Sequence, residues 1–303
     1  MRPAVPAPSN ESRDAVDAGD VIFMPAALVQ CPLPYVDPKD VAVWTKSNGR
    51  VSILIRSGIA PAATSLNDGR QESKATPPVT LGLPFGSTPR LLLSWIATEA
   101  IRTKSPEIRL GTNLTTFMSG LGLNHASGGR GGSITRLKDQ MQRLFGATIS
   151  LLRVDESGRA QDHEHGSALP AACPSLWARG VAIPPDPIGS TISLSDSFYR
   201  EVIEHSVPLN ARNMIALRRS APCLDVYAWL TWQYSFLRIG REFSWAMLRQ
   251  QFGTQAASER KFRETFRAAL QRVLSVYPEA RVDAAVSGLI LTPSPTSVRR
   301  KSR

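Results

Sequence analysis

Twice along this chain, about 130 residues apart, the same succession of local signals recurs, and a duplication of that size sets the architecture before any single element does. In the first copy Thr88 is a plausible helix N-cap with Pro89 at the first helical position. Leu91, Leu92, Trp95, Ile96 and Ala100 then mark one face of a helix. A short strand is expected at Glu107 to Leu110. Asn113 can cap a second helix with Leu114, Phe117, Met118 and Leu121 inward, ending at Gly122. In the second copy Pro222 opens a helix after Ser220, with Val226, Trp229, Leu230 and Tyr234 apolar. Glu242-Phe243 stands for the short strand, and Ser244 caps a helix with Trp245, Leu248 and Phe252 inward, ending at Gly253. Trp95 pairs with Trp229, Leu121 with Phe252, and Met141 with Leu270.

Each copy continues into a third helix with a basic outer face. After the glycine run GGRGG, Ser133 caps a helix in which Ile134, Leu137, Met141 and Leu144 share one face at helical spacing. Thr135, Arg136, Asp139, Gln142 and Arg143 lie opposite, with Lys138 at the edge. Ser258 caps the counterpart, where Phe262, Phe266, Ala269, Leu270 and Val273 face inward and Arg260, Lys261, Glu264, Arg267 and Gln271 outward. A strand follows each: Thr148 to Val154 with Ser190 to Leu194 in the first copy, and Ala280 to Val286 with Leu289 to Thr292 in the second.

Helix, short strand, helix, turn, helix and strands resemble a winged helix-turn-helix, whose third helix lies in the DNA major groove. The predicted fold class is therefore α+β, with tandem winged-helix domains and an N-terminal β-hairpin extension. A loose tail is expected over 1–20, and the extension and a linker over 21–78. The first winged-helix domain covers 79–205, with a wing insertion at 155–187, the second covers 206–292, and a basic tail 293–303. The hairpin rests on Asn48-Gly49 between the apolar runs of Val41 to Ile55. An isolated hairpin is barely stable in water, so it is either a dimer contact or packed on the first domain.

A formal net charge of +11 over 303 residues and a pI near 10.1 point to an acidic partner, nucleic acid first. No apolar run approaches the roughly 20 residues needed to span a bilayer, and the N-terminus lacks a secretory pattern, so a cytoplasmic location is expected and no membrane partner. Cys31, Cys173 and Cys223 form no paired motif, which argues against zinc.

The blocks LPFGSTPRLLLSWIATEAIRTKS, GGRGGSITRLKDQMQRLF, STISLSDSFYREV, DVYAWLTWQYSFLR and SWAMLRQQFG resemble the plasmid-encoded RepA-type replication initiators over about Phe23 to Val282. The resemblance implies binding to double-stranded DNA at repeated origin sequences, or iterons, opening of the duplex, and recruitment of a host initiator and replicative helicase. For related initiators it also implies a monomer that binds iterons, and a homodimer able to repress its own promoter through an operator inverted repeat. It assigns no base contacts. The candidate DNA-binding residues come from helix geometry alone: Arg130, Ser133, Thr135, Arg136, Lys138, Arg143, Arg260, Lys261, Arg263 and Arg267.

His163-Glu164-His165, with Tyr199 downstream, is the one cluster that invites a metal-dependent rolling-circle nickase reading. An acid stands between the two imidazoles, and the stretch has no strand character to aim them at one metal. GGRGG is followed by no Gly-Lys-Ser/Thr, so it is not a phosphate loop. The expectation is a DNA binder without enzymatic activity, metal or cofactor. A tandem winged-helix repressor is the alternative.

Overall fold

A computed structural model describes residues 21–60, 79–109, 133–153, 191–253 and 258–298. It places the elements in the order β1 (Val21–Pro25), α1 (Ala26–Gln30), β2 (Val43–Ser47), β3 (Val51–Arg56), β4 (Gly58–Ala60), β5 (Val79–Gly82), α2 (Ser87–Thr103), β6 (Glu107–Arg109), α3 (Ser133–Gly146), β7 (Thr148–Arg153), β8 (Thr191–Ser193), α4 (Asp196–His205), β9 (Ser206–Asn210), α5 (Ala211–Leu217), α6 (Ala221–Phe236), β10 (Arg241–Ser244), α7 (Trp245–Phe252), α8 (Glu259–Val276), β11 (Arg281–Ala284) and β12 (Gly288–Thr292). The chain is thus mixed helix and sheet. The expected helix at 113–122 and the tail Arg299 to Arg303 lie outside the described residues, as do Cys173, the histidine cluster and the stretch 155–187.

The second unit closes on itself. β10, β12 and β11 form one antiparallel sheet in that order, with Phe243 opposite Leu289 and Arg241 opposite Leu291. Its core is aromatic. Trp229 meets Phe243 and Phe252 edge-on at 5.0 and 5.6 Å, and Phe252 meets Phe266 at 5.5 Å. Such crossings add to the area these rings bury. Capping holds the helices in phase: Ser244 Oγ accepts from Met247 N at 3.2 Å, and Ser258 Oγ from Lys261 N at 3.3 Å.

The first unit closes differently. β6 pairs with β8, but β7 pairs over its full six residues with β3, giving the sheet β2-β3-β7. The expected wing of 148–154 with 190–194 therefore does not form among the described residues. A three-residue β8 offers β7 half the ladder that β3 does, and β3 also brings Val51, Ile53 and Ile55 to the core. The hairpin turn is as expected: Gly49 takes a φ of 89°, and Asn48 Oδ1 accepts from the amides of Arg50 and Val51. The hairpin is thus part of the first unit, the second of its two expected roles.

α2 starts at Ser87, before the expected Thr88 cap. Gly86 adopts a φ of 77° there, donates to Pro34 O and accepts from Arg90. The N-terminal segment also reaches beyond its unit. β1 pairs with β9, which leads into the second unit, and Ala27 N donates to Glu201 Oε1 at 3.1 Å. Both oxygens of Glu201 accept from Arg153, at 2.6 and 2.7 Å. Segment 21–56 is therefore a strap across both units, and one contiguous apolar core runs through the molecule.

Candidate nucleic-acid interface

α8 carries five basic side chains against two acidic ones. Phe262, Phe266, Ala269, Leu270 and Val273 are buried, as their spacing requires, which turns the remaining face outward along the whole helix. Arg260 is 90% exposed, with a loose 3.6 Å pair to Glu264, and Lys261 lies 3.9 Å from the same carboxylate. Arg263 pairs with Glu259 and lies over the Trp245 ring at 5.7 Å. Arg267 lies over the same ring at 5.1 Å, and its Nη2 donates to Ala285 O at 3.5 Å in the turn between β11 and β12. Helix and turn are thus connected through one guanidinium. Trp245 was legible as core. Its second role is as a platform for Arg263 and Arg267: their spacing of four puts both on one face of α8, and the packing of α7 brings Trp245 beneath them. Arg272, exposed on the same helix, belongs with this face as well.

α3 offers far less. Leu137, Met141 and Leu144 are buried as the wheel requires, and Thr135 and Arg136 are exposed, whereas Lys138 and Gln142 are half-buried. Arg143 is a structural strut rather than an open reader, and its side chain is 18% exposed. Its Nε donates to Asp139 at 3.0 Å, its Nη1 to Asp37 at 3.2 Å and to Leu83 O at 3.4 Å, and its plane lies over Phe85 at 5.2 Å. Gln140 fixes the stretch before α2 to the same helix by accepting from Phe85 N at 2.9 Å. The sequence shows Arg143 on the polar side of the helix but not the segment that covers it. Ser133 is the first residue of α3, and Arg130 lies outside the described residues.

Tyr199, the other half of the nickase reading, is a half-buried residue of α4 packed against the core. Among the described residues no group of three or more His, Cys, Asp or Glu is placed to hold a metal, and no helix is long and apolar enough to cross a membrane.

Two units joined by a common core thus present basic side chains unequally, along the length of α8 and near the start of α3. A family model described as plasmid-encoded RepA protein matches residues 83–248, more than half of the chain, and the chain belongs to that family. The matched span runs from Leu83 to Leu248, so the β2-β3 hairpin and α8 both lie outside it. No curated protein and no solved structure matches the chain.

Proposed function

We propose that this protein is a non-enzymatic initiator of plasmid replication that binds repeated double-stranded DNA sequences at the plasmid origin through two winged-helix units. In this reading α3 and α8 enter major grooves, and the bound protein helps open the duplex and recruits the host initiator and helicase. The observation that carries the reading is α8: a capped helix with one face in an aromatic core and a basic, solvent-facing side along its length, beside the short β11-β12 turn. The order α6, β10, α7, α8, β11, β12, with its strand order β10-β12-β11, is the arrangement expected of a winged helix. The net charge of +11 supplies the salt-dependent attraction to phosphate on which such binding depends.

Affinity then comes from lysine and arginine contacts to phosphate, and sequence choice from side chains that reach base edges. Arg267 and Arg260 on α8 and Thr135 and Arg136 on α3 are the side chains best placed for this. A gel shift at several salt concentrations, with repeats from the plasmid region encoding the chain against scrambled duplex, tests the proposal. Strong preference for the repeats is the expected result. Equal and steeply salt-sensitive binding to both would reduce the protein to a non-specific polycation. A transformation assay with an origin plasmid separates initiation from operator repression.

A further inference from the structure

At the junction of the two units one guanidinium makes every hydrogen bond available to it. Arg90 belongs to α2, the long helix that opens the first unit, and Asp225 to α6, the long central helix of the second. Arg90 Nε donates to Asp225 Oδ1 and Nη2 to Oδ2, both at 2.8 Å. Nη2 also donates to Leu33 O at 2.7 Å, and Nη1 to Pro34 O at 3.2 Å and Gly86 O at 2.6 Å. Those are all five donors of an arginine side chain. The Tyr35 ring lies 5.0 Å from the guanidinium carbon. The two charged side chains are 3% and 7% exposed.

Apolar faces that slide on one another tolerate a range of angles. A buried, bidentate, fully satisfied fork tolerates one, because any rotation leaves a charge or donor unpaired in a low dielectric. Arg90 also fastens the strap at Leu33 and Pro34 to both helices, so three segments meet in one geometry. These helices carry the cores on which α3 and α8 are seated.

We infer that the Arg90–Asp225 fork sets the spacing specificity of DNA recognition, by holding the two units at one relative orientation so that α3 and α8 engage only half-sites a fixed number of base pairs apart. The inference rests on the reading that both helices bind DNA. Arg90 touches no base in it; Arg90 is a positioning residue, and the recognised bases depend on α3 and α8.

The experiment selects binding sites for the full chain from randomised duplexes of about 21 base pairs or more, which is two helical turns. Gel shifts then follow on the selected site with half a turn, about 5 base pairs, inserted between its halves. Wild type is expected to select two half-motifs at one spacing, and to lose the gain of linkage, about 100-fold or more, on insertion. Arg90→Lys keeps the charge but forfeits the fork, and Arg90→Met with Asp225→Leu replaces the pair by apolar volume that a core accepts. Both variants are expected to select the same half-motifs over several spacings, and to lose less than about tenfold on insertion. Folded variants that remain as intolerant of insertion as wild type would overturn the inference. A wild type that selects one half-motif, or tolerates the insertion, would overturn it too while leaving single-helix recognition standing. Failure of wild type to select any motif would instead overturn the proposed function.

Discussion

Among the described residues both units carry a first helix, a short strand and a later helix with a basic face, but they differ in how their sheets close and in how much of that later helix is open. In the second unit β11 returns as β12 after a short turn, and α8 is exposed from Arg260 to Ser275. In the first, β7 takes β3 as its partner; the strap that brings β3 lays Asp37, and the stretch before α2 lays Leu83 and Phe85, over the C-terminal half of α3. The same sequence pattern therefore gives one helix whose polar face is open along its length and another whose polar face is open only near its start. A polar helical face is a possible surface, and neighbouring segments decide how much of it remains one.

The sharpest way to break this contrast is to remove the borrowed strand. Ile53→Asp puts a carboxylate at a 1% exposed position in the middle of β3 and is expected to cost about 4 kcal/mol or more, collapsing the first unit. Circular dichroism with limited proteolysis reads this, and a first unit that stays protected would show β7 to be independent of the hairpin. Next in size are the readers. Arg267→Ala is expected to weaken specific binding by roughly 1–3 kcal/mol, as loss of a base fork would, and Arg136→Ala to fall in the lower part of that range. Equal affinity and unchanged sequence preference in both variants would remove these helices as readers.

Arg143→Gln tests the covered end of α3. With an ion-pair network that is partly open to solvent, the expected loss is about 1 kcal/mol of stability. The slope of log affinity against log salt should stay that of wild type, because Arg143 is committed to Asp139, Asp37 and Leu83 O. A slope lower by about 1 would instead make Arg143 a phosphate contact and erase the difference between the two helices. The smallest effect concerns Cys31, a buried residue of the strap whose Sγ donates to Val51 O at 3.1 Å. Burial pushes its thiol up to about 12. In the folded chain the proton is retained where the unfolded chain has lost it, so this contribution to stability is complete below the ordinary thiol value and fades as pH climbs toward about 12. Thermal melts of wild type and Cys31→Ala should therefore converge with rising pH in that window, and parallel melts would place the thiol in contact with water.

Much of the fold was legible because it is written locally. Three-four spacing marked the buried faces of α3 and α8, Ser244 and Ser258 marked helix starts, and Asn48-Gly49 marked a hairpin. What escaped was pairing between distant segments. β1 with β9, the ribbon β4 with β5 on either side of an expected linker, and the choice of β3 over β8 all join stretches that carry no mark of their partner. The candidate site divides along the same line. Sequence determined which side chains could face outward, since helical periodicity and capping depend on neighbours a few residues away. Only the tertiary structure decided that Arg143 is sequestered, that Arg263 and Arg267 share the face of Trp245, and that Arg90 closes on Asp225, because each outcome depends on a segment brought from elsewhere in the chain to satisfy or cover a charge.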